Sequence, residues 1–372
     1  MAAETLSARA LNRATLARQM LLERADATPL EAVERLVGLQ AQEPLDPYTA
    51  LWSRLRGFRP EAVGRLLERR EAVRVVVMRS TIHLVSAADC RTLRPLMQPV
   101  IDAELARHPE WAPRLLGVDL APVLAAAREE LAAEPLTAAR LRRRLAERFP
   151  DLDAAAMGGA CRCLIALVQV PPRGVWGRTG GVTVATAEDW LGAPLDPAPS
   201  IDAVVLRYLA AFGPATPGDA SAWSRLAGMR EVFERLRPHL RAFRDERGRE
   251  LLDLPDAPRP DPATPAPPRF LPEYDNALLS HADRSRVVAP EVRARLAGAI
   301  EGLGWGSVLV DGRATALWRL ERARGGARAE LRVVHAGLAT RAAAPVAAEG
   351  RRLLRLLAAD ADEREVRMEA AP

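Results

Sequence analysis

Two glutamines separated by one residue are the first candidates for chemistry in this sequence. Gln40 and Gln42 lie in the stretch LVGLQAQEPLDPYTALW, residues 37–53. An amide is neutral and cannot act as a base at neutral pH. Its oxygen can nevertheless position a water molecule, and its dipole can stabilise a developing positive charge. A pair of solvated side chains at a helix end is the alternative interpretation.

The surrounding residues predict a helix that ends at this pair. Residues 28–39 show the apolar periodicity of an amphipathic helix, and Pro44 disfavours helical conformation at Glu43. We therefore expect the helix to break by about Gln42, which would let this side chain turn toward the same cavity as Gln40. The partly negative end of the helix would then face any cation that forms there.

Two ionisable neighbours offer alternatives to the amides. Glu43 could be the true base, with the glutamines in a supporting role. His83 lies in the β-rich stretch TIHLVS, residues 81–86. A histidine in a strand is more often a core residue, but this one belongs to the same part of the chain as the glutamines and could serve the same site.

No metal or other cofactor is expected. Glu273, Asp275, His281 and Asp283 occur close together in the sequence and could bind a metal. Their spacing matches no metal-binding motif, so a structural network is the preferred interpretation.

The charged residues suit a nucleic acid as the partner, although the main expected cause of their arginine bias is the codon usage of a GC-rich genome. The chain has 372 residues, a formal net charge of +5 and an isoelectric point of about 9.8, and all 53 basic residues are arginine. Arginine makes bidentate contacts with phosphate and stacks on bases. Because the sequence contains no lysine, no side-chain amine can form a Schiff base.

The predicted elements are mainly α with β, an α+β organisation in several units. Helices followed by a short β-hairpin occur three times, which is typical of winged-helix motifs; the hairpins are expected over 73–86, 168–186 and 240–255. The proline-rich segment 256–268 marks a boundary. Beyond it, β-rich stretches and a helix over 345–359 predict a small C-terminal β-barrel. The predicted domains are 1–100, 101–198, 199–256 and 269–360, with the last dozen residues disordered.

An arginine-rich helix over 137–148 could be a solvated face or a phosphate-binding face. Its place in a winged-helix unit favours the second interpretation. The candidate DNA contacts are Arg79, Thr81 and His83 in the first hairpin, Arg142 and Arg143 on this helix, Arg173 and Arg178 in the second hairpin, and Arg247 in the third.

Six stretches resemble the winged-helix DNA glycosylase family: LVGLQAQ, MRSTIHLVS, PPRGVWGRTGG, GPATPGDASAWS, FLPEYDNALLSHADRSRVV and VLVDGRATALWR. They extend from residue 37 to residue 319. The glutamine–apolar–glutamine arrangement is similar to the AlkZ-like branch, the self-resistance glycosylases against azinomycin-type crosslinkers. The resemblance implies three tandem winged-helix motifs around a concave basic surface, followed by a β-barrel. It also implies hydrolysis of N7-alkylguanine from double-stranded DNA, unhooking of interstrand crosslinks, and catalytic roles for Gln40 and Gln42.

The chemistry of such a substrate suits neutral catalytic groups. An N7-alkylguanine already carries a positive charge, so it departs as a neutral base without a general acid. What remains is to position a water and to stabilise a sugar cation, and amides can do both.

A winged-helix regulator without catalysis is the rival interpretation. It explains the basic residues equally well. It does not explain three units and a barrel in one chain without an obvious dimerisation helix, since regulators that bind palindromes are usually dimers. We expect a cytoplasmic monomer, because no apolar run could cross a bilayer and the first residues lack the features of a secretory signal.

Overall fold

The computed structural model describes residues 4–297, 304–323 and 326–371. These ranges contain 17 α-helices and three β-sheets. None of the helices in them is both long and apolar enough to cross a membrane.

The first part of the chain folds into helices around a hairpin. Its elements are β1 (Glu4–Leu6), α1 (Ala8–Arg18), α2 (Pro29–Arg35), β2 (Leu39–Gln40), α3 (Asp46–Arg54), α4 (Pro60–Glu68), β3 (Ala72–Val76), β4 (Ile82–Ser86), α5 (Ala87–Leu96) and α6 (Gln98–Arg107). The β3–β4 hairpin confirms the prediction for residues 73–86. Helix α2 is shorter than predicted, although Thr28 and Glu31 form the expected capping box at its start.

The second and third parts repeat the order of helices and hairpin. The second contains α7 (Ala112–Leu115), α8 (Ala121–Ala133), β5 (Leu136–Thr137), α9 (Ala138–Arg148), α10 (Ala154–Leu164), β6 (Leu167–Gln169), β7 (Thr183–Thr186) and α11 (Ala187–Leu191). The third contains α12 (Ile201–Phe212), α13 (Pro217–Ser224), α14 (Met229–Leu236), β8 (Arg241–Asp245) and β9 (Glu250–Asp253). Thr137 caps α9 as predicted, its hydroxyl accepting from Arg140 N at 3.2 Å.

One six-stranded sheet joins the first two hairpins. Its strand order is β2-β4-β3-β6-β7-β5. Strands β3 and β6 are antiparallel, with Arg74 opposite Gln169. The sheet therefore passes across the boundary predicted between residues 100 and 101. Strand β1 extends the third hairpin instead, because it pairs in parallel with β8.

The C-terminal part is an open sheet covered by a helix. It contains β10 (Arg269–Leu271), α15 (Asn276–Leu279), α16 (Pro290–Ala297), β11 (Gly306–Val310), β12 (Arg313–Arg322), β13 (Arg328–His335), α17 (Thr340–Leu357) and β14 (Glu363–Ala370). The order β10-β11-β12-β13-β14 leaves β10 and β14 as edges, so the described strands do not close into the predicted barrel. Helix α17 starts before the predicted residue 345.

The predicted disorder of the last dozen residues is wrong for residues 363–370. They form β14, which lies parallel to β13. Ion pairs connect β13 with β14 along this edge: Arg328 pairs with Glu365 at 2.6 Å and Arg332 with Glu369 at 2.5 Å. A run of alternating charges without a partner strand is typical of a solvated tail. Here the segment pairs with β13, and charged pairs across the two strands support that pairing.

Candidate active site

The chain reverses from helix to strand immediately before the glutamines. Helix α2 ends at Arg35, and Val37 and Gly38 then take left-handed conformations with φ of 55° and 91°. A Cβ atom at Gly38 would lie 2.8 Å from Val85 Cγ1, so a larger residue does not fit here. Gln40 lies in strand β2, and the prediction of a helix that continues to the glutamines is wrong.

The short strand places Gln40 on the face opposite Leu39. Leu39 is buried, and side chains of an extended chain alternate between two faces. Gln42 follows the end of the strand in a bend, with its side chain exposed. The predicted contribution of a helix dipole has no structural basis, because its effect is confined to the last turn of a helix and α2 ends before this segment.

Arg79 orients the amide of Gln40. It lies in the turn between β3 and β4, where its φ is 57°. Its Nη2 donates to Gln40 Oε1 at 2.6 Å, and its Nη1 donates to the carbonyl oxygen of Trp223 at 2.8 Å. Since a guanidinium can only donate, the oxygen of the amide must face it. The Thr81 hydroxyl stabilises the same turn by donating to the Met78 carbonyl at 3.0 Å.

His83 supports this arrangement from the interior. It is opposite Gln40 in the strand pairing and is fully buried. Its Nδ1 donates to the Thr81 carbonyl at 3.0 Å, which leaves Nε2 as an acceptor 3.4 Å from Arg79 Nη2. Burial, and then the charge of Arg79, lower the pKa of His83 to about 3. The imidazole is neutral at physiological pH and cannot attract phosphate as a cation.

Gln42 and Glu43 are both exposed. The oxygen of Gln42, Oε1, is 3.4 Å from the Ile82 amide nitrogen, a long contact that orients the side chain weakly. Glu43 is two residues beyond the last backbone bond of this segment to β4, from Ala41 N to Ile82 O at 2.8 Å. Glu43 is therefore still the alternative candidate for the general base.

Asp46 is a carboxyl group that the sequence interpretation missed. Its Oδ2 is buried without a hydrogen-bond partner among the described residues. Burial raises the pKa of Asp46 to about 8, with further contributions from the negative charges of Glu273, Glu43 and Asp275. A carboxyl with this pKa is mostly protonated at neutral pH. Its closeness to Glu43 in the sequence was the only available signal.

Two distant stretches meet at the glutamine segment. Trp223, from GPATPGDASAWS, accepts a hydrogen bond from Arg79 through its carbonyl oxygen. Asn276, from FLPEYDN, donates through Nδ2 to the Gly38 carbonyl at 2.8 Å. Four of the six stretches that carry the family resemblance are thus brought together around Gln40.

Comparison with known proteins decides the family. The model of the family described as "DNA glycosylase AlkZ-like" matches residues 33–356. The chain belongs to the AlkZ-like DNA glycosylase family. It is also similar to a solved structure, the DNA glycosylase AlkZ of Streptomyces sahachiroi, with a TM-score of 0.77 and 23% identity over 98% of this chain and 100% of that chain. At this identity the likeness shows a shared fold. No curated protein sequence gives a match.

Several arginines of the basic helix α9 pair with carboxylates on, or just after, the neighbouring helix α8 in this member of the AlkZ-like family. Arg144 pairs with Glu130 and, at 2.9 Å, with Glu134, and Arg148 pairs with Glu129 at 2.6 Å. All three carboxylates lie on α8 or just after it. Immediately before Arg144 on α9, Arg143 is 3.9 Å from Glu147. Arg142 forms no ion pair with a described carboxylate.

The arginines predicted in the second and third hairpins have partners within the fold. Arg178 pairs with Glu68 at 2.9 Å, and Arg247 pairs with Asp283 at 3.1 Å. Arg173 Nη1 makes a long contact, 3.4 Å, with the Gly180 carbonyl oxygen. These side chains remain candidate DNA contacts, but Arg178 and Arg247 would have to exchange a carboxylate for a phosphate.

Three arginines that the sequence interpretation missed, Arg107, Arg225 and Arg284, lie near Arg79, which it did name. The charges of Arg225 and Arg284 lower the pKa of Arg79, which burial lowers more strongly, to about 10. Arg79 is therefore still charged at neutral pH. Arg107 and Arg225 line one cavity of about 390 Å³ with Arg79, the buried Ser80 and one carboxylate residue, Glu104. Within the described ranges, none of these four arginines forms an ion pair with a carboxylate.

The four residues considered for a metal have separate structural partners. Asp275 pairs with Arg54 at 2.8 Å, and Glu273 accepts from the Gly304 amide at 2.9 Å. His281 is 3.0 Å from the Phe212 carbonyl oxygen through Nε2. Asp283 pairs with the arginines of the third hairpin. No cluster with metal-binding potential occurs in the part of the chain that the structure describes.

Proposed function

We propose that this chain is a monofunctional DNA glycosylase, acting as a monomer, that hydrolyses the N-glycosidic bond of N7-alkylguanine in double-stranded DNA and unhooks interstrand crosslinks. The observation that carries the proposal is the Gln40 amide, oriented by Arg79 in a chain of the AlkZ-like family. Gln40 and Gln42 are the proposed catalytic residues.

The oriented amide supports a role in positioning water. Arg79 occupies one side of Gln40 Oε1, and a carbonyl oxygen has a second lone pair to offer. The water attacks C1′ of the sugar while the bond from C1′ to N9 breaks and the electron pair goes to the base, and the oxonium formed at C1′ then releases its proton to solvent. The alkylated base starts as a cation and leaves neutral. No acid is needed, which agrees with the neutral state of His83.

The arginines around Gln40 supply the contacts to the DNA backbone in this proposal. Arg79, Arg107, Arg225 and Arg284 together carry a positive charge that no described carboxylate compensates by an ion pair. A bound phosphate would reduce the repulsion between these cations and the developing sugar cation. Phosphates contribute affinity and register but not base identity.

The absence of lysine in the sequence supports hydrolysis rather than strand cleavage, with the N-terminal amine as the one covalent alternative. A glycosylase that nicks DNA captures the sugar as a Schiff base on an amine, and here no side chain offers one. The expected product is an intact strand with an abasic site.

The test is base release from a duplex with a single N7-methylguanine, run beside an unmodified duplex. We expect free N7-methylguanine, strand breakage only after alkali or heat, and no protein–DNA adduct when borohydride is present during turnover. A trapped adduct would refute the hydrolytic mechanism. Binding of both duplexes without any release of the base would favour the rival interpretation, a winged-helix regulator without catalysis. A duplex with an interstrand crosslink, tested in parallel for strand separation, addresses unhooking independently.

A further inference from the structure

An exposed tyrosine lies beside the segment that carries the two glutamines. Tyr274 is 38% exposed, whereas Asn276, two residues later, is buried. The Asn276 side chain fixes this loop to the glutamine segment by donating to the Gly38 carbonyl at 2.8 Å. On the same segment Leu45, three residues after Gln42, is 47% exposed. Apolar surface is therefore available to a ligand beside the proposed catalytic residues.

Carboxyl groups lie close to the phenol of Tyr274. The pKa of this phenol is raised by partial burial, by a hydrogen bond to Glu273, and by the charges of Glu273, Asp46 and Glu43. Glu273 is held in place because it also accepts from the Gly304 amide at 2.9 Å. Asp46 is mostly protonated at neutral pH, so Glu43 and Glu273 supply the negative charge. An aromatic ring and two carboxylates thus occur together next to the glutamines.

This combination is suited to a flat cation. The face of a tyrosine ring attracts a positive charge through the ring quadrupole, and nearby carboxylates attract it through space. The same carboxylates repel a phosphate, so the backbone of the DNA is not the expected neighbour of this ring. Enzymes that act on a base outside the helical stack hold it against aromatic or apolar side chains. An N7-alkylguanine is both flat and positively charged.

We propose that Tyr274 recognises the positive charge of the alkylated base, which lies against its ring with Glu43 and Glu273 nearby. The inference rests on the proposed function, from which it takes its ligand. Tyr274 is then a residue that determines specificity, because it favours N7-alkylguanine over neutral guanine, while Gln40 and Gln42 position the water. Since the base leaves as a neutral molecule, this contact stabilises the bound lesion, and binding is the appropriate measurement.

The test compares binding to two duplexes that differ in one charge. One contains N7-methylguanine and the other contains 7-methyl-7-deazaguanine, a neutral isostere, and both have a 2′-fluoroarabinose sugar that slows hydrolysis. We expect the wild type to bind the cationic duplex at least about tenfold more tightly than the neutral one. Tyr274→Leu should reduce this affinity ratio by about 3- to 30-fold, the range expected for the loss of a cation–π contact.

Four further variants separate the ring from other roles of this residue. Tyr274→Phe keeps the ring but loses the hydrogen bond to Glu273, and should keep the affinity ratio. Leucine and phenylalanine would both share the left-handed backbone of Tyr274, with φ of 60°, so backbone strain is matched. Glu273→Gln should lower the ratio, and Glu61→Gln, at an exposed glutamate on α4, should not. Leu116→Ala, at an exposed leucine after α7, controls for loss of apolar surface.

Three results would each overturn the inference: no preference for the cationic duplex in the wild type, an equal ratio in the wild type and Tyr274→Leu, or equal losses in the leucine and phenylalanine variants. Neither analogue has to be cleaved, so these results are independent of base release. A wild type that prefers the cationic duplex but releases no N7-methylguanine from an ordinary sugar would refute the proposed function and leave cation recognition by Tyr274 standing.

Discussion

Gln40 is held by a charged donor, and this gives a neutral side chain a single orientation. The hydrogen bond from Arg79 is charge-assisted and short, 2.6 Å, and the same guanidinium also bonds to the Trp223 carbonyl. The left-handed backbone at Arg79 carries its side chain back toward β2. Spacing in the sequence identified Gln40 and Gln42, but this orientation depends on partners that local sequence does not reveal.

Replacing Arg79 with methionine should lower base excision by about 10- to 100-fold at saturating enzyme, because a lost charge-assisted hydrogen bond is worth about 1.5–3 kcal/mol. Arg79→Lys should recover DNA affinity better than it recovers excision, since lysine keeps the charge but not the two fixed donors. Single-turnover rates and binding titrations separate the two effects. Arg351→Met, at an exposed arginine on α17, is the control. An Arg79→Met variant that excises at the wild-type rate would remove Arg79 from the mechanism.

Asp46 should make stability depend on pH near neutrality. The raised pKa, about 8 against an ordinary 3.8, means that the folded chain binds this proton more tightly than the unfolded chain. The contribution of Asp46 to stability is therefore full below pH 3.8 and is lost as the pH rises through 8. Asp46→Asn should raise Tm relative to wild type at pH 9 and leave it unchanged near pH 3.5. A Glu61→Gln control should show no such trend, and a pH-independent effect of Asp46→Asn would contradict the assignment.

At the scale of elements, the helix predicted to carry phosphate contacts already has Arg144 and Arg148 paired with carboxylates, whereas Arg142 forms no ion pair with a described carboxylate. Helix α9 shows a run of arginines in the sequence, but the carboxylates of α8 that pair with Arg144 and Arg148 precede these arginines by 14 and 19 residues, so the pairing becomes evident only when the two helices pack. Arg79 and the three arginines near it, which form no ion pair within the described ranges, come from separate elements. No run of basic residues in the sequence marks them.

This contrast predicts which arginines determine the salt dependence of DNA binding. Arg107→Ala combined with Arg225→Ala should reduce the slope of log K against log salt by about two, if each contacts one phosphate. Arg144→Ala combined with Arg148→Ala should leave the slope near that of wild type. Filter binding or anisotropy at several salt concentrations measures both. A reduced slope in the Arg144/Arg148 variant together with an unchanged slope in the Arg107/Arg225 variant would instead assign the phosphate contacts to α9.

At the scale of the whole molecule, buried ion pairs connect parts of the chain that are far apart in sequence. Arg54 of α3 pairs with Asp275, and both side chains are almost fully buried. Arg18 of α1 pairs with Asp253 at the end of β9, also fully buried. Sequence periodicity predicted the three hairpins, but not these pairs, nor the pairing of β1 with β8 or of β14 with β13. These features depend on contacts between distant residues, and each residue looks ordinary by itself.

The Arg54 pair offers a stability test at this scale. Arg54→Met should destabilise the fold by about 3–5 kcal/mol, because Asp275 would keep a buried charge without its partner. Arg56→Met breaks the exposed pair with Glu23 and should cost less than about 1 kcal/mol. Urea denaturation of both variants gives the comparison. Equal losses would mean that the buried pair does not hold the N-terminal helices to the C-terminal sheet.

The central claim is that the two amides position the water that releases the base. Its most direct test is the single-turnover rate of N7-methylguanine excision by Gln40→Ala, Gln42→Ala and the double variant, at enzyme concentrations that saturate binding. Each lost hydrogen bond should cost about 2–4 kcal/mol of transition-state stabilisation, a rate loss of roughly 30- to 1000-fold, with folding and DNA affinity nearly unchanged. Glu43→Gln should lose less than either glutamine variant. Excision at the wild-type rate by the double variant, or a larger loss in Glu43→Gln, would contradict the claim.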